Sequence, residues 1–235
     1  GPAPFRSYHP AYLPQLWRGW LDVGTGGLGD MGCHILDHVV SALELGPPDS
    51  VDASHSHYVD RVTWDIPKNN ETYPRASMVT YNFTDQKSNR PIKVIWYDGG
   101  LKPPRPLELE EGRNMGDQFG GAIYIGTKGK ILTGSHGANG VRIIPEKEML
   151  KYEKPVKTIP RSPGHHKEWI NACKGGEPAK SNFDYAGHLT ETVLLGNIAL
   201  RTGEKIIWDS NNMRITNNEN ANNLINREYR KGWEI

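Results

Sequence analysis

The hydrophobic period of this chain changes twice, and the order of those changes limits the folds open to it. From Asp30 to Leu45 the apolar residues Met31, Ile35, Val39, Ala42 and Leu43 recur at helical spacing, until Gly46-Pro47-Pro48 stops the run. Three strand-like runs then follow in direct succession, at Val51 to Val59, Ala76 to Phe83 and Ile92 to Tyr97. In the second of them Val79, Tyr81 and Phe83 alternate with Met78, Thr80 and Asn82, the pattern of a strand with one buried face. Ala122 to Gly126 and Lys130 to Thr133 flank Thr127-Lys128-Gly129 as a hairpin, and a further strand is expected at Val141 to Ile144. The helical period returns at Ser162-Pro163 and runs to Lys174, where Gly175-Gly176 ends it. A long helix from about Asp184 to Arg201 carries Ala186, Leu189, Val193, Leu194, Ile198 and Ala199 on one stripe, with Gly203 as its stop. Ile206 to Trp208 reads as a short strand, and Asn218 to Asn226 as a last helix before the tail at 227–235. Strands grouped between helices predict an α+β fold: one open, mainly antiparallel or mixed β-sheet with helices packed on one face.

Two stretches have no regular pattern. Residues 1–23 are proline-rich, hold the cluster Trp17-Arg18-Gly19-Trp20, and read as an extended lead-in. Residues 98–121 include Lys102-Pro103-Pro104-Arg105-Pro106, and a connection of that length without structure is usually functional or mobile. The whole chain, 1–235, is read as one domain.

Composition removes several function classes. A net charge of +1, with no basic run interleaved with aromatics, gives no reason to expect nucleic acid or an acidic membrane as partner. No apolar stretch approaches the roughly 20 residues a bilayer-spanning helix needs. Cys33 and Cys173 are the only two cysteines, too few for a disulfide framework or a four-cysteine zinc site, and each reads as a small buried residue. The 7 tryptophans and 10 tyrosines are a generous supply of flat surfaces suited to sugar rings, although most are expected in the core or at its rim.

The chemistry is expected where a glycine-dense loop runs into the first helix. Gly24-x-Gly26-x-x-Gly29 spells the dinucleotide-binding pattern, but Trp17 to Val23 is not a buried β-branched strand and no βαβ series follows. Asp30 and His34 lie four residues apart and so share one helix face. Each has a plainer explanation, Asp30 as a helix N-cap and His34 as a core histidine among Met31, Ile35 and Val39. Against the cap, position 33 is Cys rather than Glu or Gln, so no capping box forms. In a first turn, His34 would feel the positive helix end, which favours neutral imidazole, and a carboxylate, which favours imidazolium; that balance suits a general base. His165, His166 and Glu168 are the best alternative ligands, but with no further His or Cys at metal-site spacing no metal is expected. Asp37 and His38 read as supporting or surface groups, Ser135-His136 as a turn, and no serine stands in a nucleophile elbow.

The run Gly26-Gly27-Leu28-Gly29-Asp30-Met31-Gly32-Cys33-His34-Ile35-Leu36-Asp37 resembles the carboxy-terminal domain of the Gfo/Idh/MocA oxidoreductases, closest to their bacterial sugar-associated branch. Arg161-Ser162-Pro163-Gly164-His165-His166, Glu168-Trp169, Ser181-Asn182-Phe183-Asp184-Tyr185, Leu189-Thr190-Glu191 and Leu194-Leu195-Gly196-Asn197 extend the likeness over nearly the whole chain. The resemblance implies an amino-terminal Rossmann domain, outside this sequence, that binds NAD or NADP, and an open-sheet domain that binds substrate and mediates homo-oligomer contacts. It implies His34 as the acid/base and Asp30 as its orienting or substrate-binding partner, with Gly26 and Gly27 near the nicotinamide. Glu153-Lys154-Pro155 spells a family motif that belongs to the Rossmann half, and its place here reads as coincidence.

The expected function is the substrate-binding half of a nicotinamide-dependent oxidoreductase acting on a sugar or polyol hydroxyl. Residue type and loop position nominate Trp17, Arg18, Trp20, Trp96, Tyr97 and Asp98 as sugar contacts. The alternatives are NAD-dependent glycoside cleavage on the same scaffold, or a non-catalytic binding or oligomerisation module. Cytoplasmic and periplasmic locations stay open, any export signal falling upstream of residue 1.

Overall fold

The structure, a computed structural model, describes residues 3–234. The chain divides into two compact units, one formed by residues 1–104 with 191–235 and the other by 105–190.

In the first unit, helices α1 (Gly26–Ile35) and α2 (Asp37–Leu43) precede strands β1 (Ser50–His55), β2 (Ser77–Thr84) and β3 (Pro91–Tyr97). The carboxy-terminal part of the chain adds strands across the Ile206–Asp209 and Arg214–Ile215 segments. Together they form an open antiparallel sheet of five strands in the order β3, β2, β1, Ile206–Asp209, Arg214–Ile215. Register follows the hydrophobic alternation: Tyr81 pairs with Val51 on one side and Val94 on the other, and Val79 with Ala53 and Trp96. One face is thereby apolar and buried, with Val51, Val79, Tyr81 and Ile206 at 0 % exposure. The opposite face carries Met78, Ile95 and Ile207, all partly open to solvent.

In the second unit, β4 (Gly121–Gly126), β5 (Gly129–Gly134) and β6 (Arg142–Ile144) form a three-stranded antiparallel sheet. α3 (Glu146–Lys151) and α4 (His165–Cys173) follow, and α5 (Phe183–Thr202) runs out of this unit into the first. The strands Ile206–Asp209 and Arg214–Ile215 are β7 and β8. Leu109, Leu132 and Ile144 make a separate small core, with Met115 and Ile123 packed against it.

Two features differ from the sequence expectation. There are two sheets rather than one, and the helices are not gathered on one face, since α3 and α4 belong to the unit built on the smaller sheet. α5 is also more deeply buried than an amphipathic stripe suggests. From Thr192 to Leu200 only Leu194, expected on the stripe, is exposed. Gly196 is what lets α5 sit so low on the sheet: a Cβ there would overlap Tyr81 Oη and stand 2.6 Å from Leu28 Cδ2. The stretch at 218–226 is a 3-10 turn over Glu219–Leu224, and 3-10 turns at Pro10–Tyr12 and Leu16–Gly19 break up the extended lead-in. Cys173 is exposed and Cys33 half-buried, so neither is the buried small residue anticipated. Among the described residues no helix is long and apolar enough to cross a membrane.

Candidate functional site

α1 begins four residues earlier than its apolar period suggests, at Gly26, with Thr25 in the N-cap position. Glycine is a poor helix former, costing about 1 kcal/mol relative to alanine, and tertiary packing explains why the helix nevertheless includes Gly26, Gly27 and Gly29. Gly32 lets α1 close on α5, where a Cβ would stand 3.0 Å from Val193 Cγ2. Asn197 of α5 donates from Nδ2 to the Thr25 carbonyl at 2.8 Å and so ties down the loop that starts the helix.

This start rearranges the two candidate residues. Asp30 is inside the helix and not its cap, which removes the capping explanation. His34 stands in the last turn of α1, so the positive helix end invoked for it is not beside it. Nor is it a core histidine, because the residue is exposed. The spacing of four keeps both on one face. Asp30 is paired with the Arg18 guanidinium, whose Nε donates to the Gln15 carbonyl at 3.1 Å. Arg18 is brought there by the lead-in, which is stapled in place by Leu21 N–H to Glu71 O at 2.8 Å and Tyr73 N–H to Gly19 O at 2.9 Å.

The glycines of the dinucleotide-like pattern are accounted for by the protein itself. A Cβ at Gly24 would overlap the Arg18 backbone; at Gly26, where φ is +68°, it would meet the Tyr73 ring; at Gly29 it would overlap the Thr25 side chain. No cradle for a pyrophosphate is left at these three positions. Gly27 is different, since it is exposed and its nearest neighbour is Asp98 Oδ2, 3.6 Å from a Cβ placed there.

Asp98 is fixed at this spot by donors from two strands: Ser77 N–H at 2.6 Å, Ser77 Oγ at 2.9 Å and Trp96 Nε1 at 2.9 Å. Of the nominated contacts, the structure therefore brings Asp98 to the glycine loop and Arg18 to Asp30. Trp96 is 6 % exposed, so its ring belongs to the core and its indole N–H is engaged by Asp98. Strand alternation sends Tyr97 to the other face of the sheet, beside Met78. Trp20 donates to the Ala11 carbonyl at 3.1 Å and packs edge-on against Tyr12, leaving Trp17, 47 % exposed, as the nominated aromatic with the most open ring.

Sequence reasoning missed the Arg18–Asp30 pair, the Ser77–Asp98 clamp and the role of Asn197. His38, on α2, is held below the usual imidazole range by burial, against the pull of Asp37. Among the described residues no group of three or more His, Cys, Asp or Glu is placed to hold a metal. Glu168 is turned to Ser162 and to the Lys180 N–H, the latter at 2.7 Å, and away from service to the His165–His166 pair.

The family model described as the oxidoreductase family, C-terminal alpha/beta domain, of the Gfo/Idh/MocA group matches residues 1–65 and 50–235, which together span the chain. This chain belongs to the Gfo/Idh/MocA oxidoreductase family. No curated protein matches it. Within this Gfo/Idh/MocA domain, α1 and the loop before it are the elements that combine an exposed imidazole, an anchored carboxylate and an open glycine.

Proposed function

We propose that this domain presents a sugar or polyol hydroxyl for oxidation, with His34 as the base that takes the hydroxyl proton. The observation that carries the reading is the α1 face itself: His34 exposed, Asp30 one turn earlier and held by Arg18, and Gly27 open beside the fixed carboxylate of Asp98. In the proposed step the carbinol carbon loses hydride and the hydroxyl loses its proton to His34, so an alcohol becomes a carbonyl. NAD or NADP, when bound, supplies the hydride acceptor, and the reading assigns its phosphates to a preceding domain because the glycines here are filled from within. Arg18 restricts Asp30 to one side of the helix, which fixes where a substrate hydroxyl finds its acceptor. Asp98, with its donors already in place, keeps the approach over Gly27 open and polar.

The same reading makes the solvent-facing side of the larger sheet, with Ile95 at 39 % and Ile207 at 45 % exposure, the contact between copies in a homo-oligomer. The direct test is a panel of sugars and polyols offered to the full-length protein with NAD and with NADP. NAD(P)H formation with at least one of them is the expected result. Oxidation only of substrates lacking a carbinol group, or cleavage of glycosides with no reduced cofactor seen even in a burst, would count against it.

A further inference from the structure

One dipeptide of the second unit carries a reactivity that the reading above does not use. Asn139-Gly140 is the only Asn-Gly pair in the 235 residues. Both residues are exposed, on the connection between β5 and β6. Asn139 at φ −57° and ψ 153°, followed by Gly140 at φ +63°, takes the course of a type II turn, whose second central position favours glycine. The turn accounts for the glycine, and the chemical consequence falls on the asparagine before it.

Gly140 leaves its own nitrogen uncovered. A Cβ at this position would meet nothing within 4 Å, and among the described residues the Gly140 N–H donates to no acceptor. Solvent base therefore reaches that N–H past neither a side-chain branch nor a competing hydrogen bond. Once deprotonated, the nitrogen has the Asn139 side-chain amide carbon as its nearest electrophile along the chain, and attack there closes a cyclic imide.

Asp117 restrains this step. Its carboxylate accepts Phe119 N–H at 2.8 Å and Ser135 N–H at 3.0 Å, and it also takes a hydrogen bond from the Asn139 side chain. A carboxylate only accepts, so the donor is Asn139 Nδ2. The Asn139 carbonyl in turn accepts Gly134 N–H at 2.7 Å. Ring closure thus requires the amide to leave Asp117 first. We propose that Asn139 is a self-modification site, where the Gly140 nitrogen closes a cyclic imide that water opens to aspartate and isoaspartate, with Asp117 as the latch that slows it.

The step balances without an oxidant or a second substrate. The bond from Gly140 N to Asn139 Cγ forms, the bond from Cγ to Nδ2 breaks, and Nδ2 leaves as ammonia. Water then adds to the imide: at Cγ it restores the ordinary backbone and leaves aspartate, and at the main-chain carbonyl it leaves isoaspartate. Either product loses the donor that faces Asp117 and sets a second carboxylate against it, and isoaspartate also displaces the carbonyl that Gly134 uses. The modification therefore unlatches the two turns that Asp117 joins. It lies within the second unit and is independent of the α1 reading.

The test is a tryptic peptide map, read by mass spectrometry, of the protein incubated at mildly alkaline pH. Cleavage after Lys130 and Arg142 releases residues 131–142, in which Asn139 is the only side-chain amide. That peptide should lose its amide progressively and appear as two acid forms of equal mass, aspartate and isoaspartate. Asn70, Asn89 and Asn211 are also exposed but precede Glu71, Arg90 and Asn212, and should convert more slowly. Asp117→Ala should convert faster than the wild type, Asn139→Gln should leave the peptide unchanged, and amide NMR of the converted protein should show shifts at 116–120 and 134–139. The proposal is overturned if Asn139 keeps its amide while the other three convert, if aspartate forms without isoaspartate, if Asp117→Ala converts no faster, or if the converted protein leaves those NMR signals where they were.

Discussion

Tyr81 and Gly196 offer the sharpest test of how the first unit is packed. Tyr81 is 0 % exposed, and its hydroxyl finds no hydrogen-bond partner among the described residues. Burial also drives that phenol well above its ordinary pKa. An unsatisfied buried hydroxyl costs about 1–3 kcal/mol, so Tyr81→Phe should stabilise the protein by about 1 kcal/mol once some packing loss is allowed for. Gly196→Ala works in the opposite direction, because the new methyl would overlap the Tyr81 hydroxyl and crowd Leu28. Overpacking of this kind costs about 1–3 kcal/mol, partly offset by about 1 kcal/mol of helix propensity. In the Tyr81→Phe background the overlap with oxygen disappears, and Gly196→Ala should cost less by about 1 kcal/mol, a coupling within the range seen for contacting residues. Urea unfolding of the wild type, both single variants and the double variant, followed by far-UV circular dichroism, measures all four corners of the cycle. Two results would refute the reasoning. Destabilisation of about 1 kcal/mol or more by Tyr81→Phe would mean that the hydroxyl is hydrogen-bonded, and an equal cost of Gly196→Ala in both backgrounds would mean that it does not meet Tyr81.

Three further outcomes are expected. Leu132→Ala empties the centre of the small core formed with Leu109 and Ile144, and should cost about 2–5 kcal/mol in the unfolding of the second unit. Burial holds the folded pKa of His38 below the ordinary imidazole value, so the unfolded chain takes up a proton first; stability should fall as pH drops from about 6.5 through the folded value, and His38→Gln should flatten that dependence in thermal melts. Asp117 is held down to about 2, chiefly by the Ser135 and Phe119 backbone donors. Its contribution is therefore complete above the ordinary carboxylate value and lost as pH falls toward 2, and the amide signals of 116–120 and 134–139 should report that loss before the first unit responds.

Much of the fold is legible in the sequence because the relevant signals are periodic. β2 and α5 show their character in Val79, Tyr81 and Phe83 and in Leu189, Val193 and Ile198, and both are present with nearly the expected bounds. What escapes is whatever tertiary packing imposes against local preference. Gly26 to Gly29 read as a loop because glycine disfavours helix, yet they are helical, with Asn197 bonded to the Thr25 carbonyl at the helix start and Gly32 packed against Val193 further on. That four-residue shift moves Asp30 from cap to helix interior. β8, only Arg214–Ile215, is too short to display a period. Leu109 lies in a stretch read as structureless, so although the three strands β4 to β6 are expected, nothing warns that they build a sheet and a core of their own.

The candidate site divides in the same way. The Asp30 and His34 spacing is a local property and is visible at once. The Arg18 contact to Asp30 depends on a turn in the lead-in, and the Ser77 contacts to Asp98 depend on strand register, so neither follows from spacing. Trp96 shows the converse error: residue type nominated it for sugar stacking, whereas alternation along β3 places it on the buried side.

The central claim, that His34 takes the proton in a reaction of this family, is tested most directly by steady-state kinetics of His34→Ala in the full-length protein, with the oxidised substrate found in the panel. Thermal melts of the variant beside the wild type separate any loss of stability from loss of chemistry. The account predicts a fall in kcat of about a hundredfold or more with KM little changed; turnover within about tenfold of wild type would contradict it.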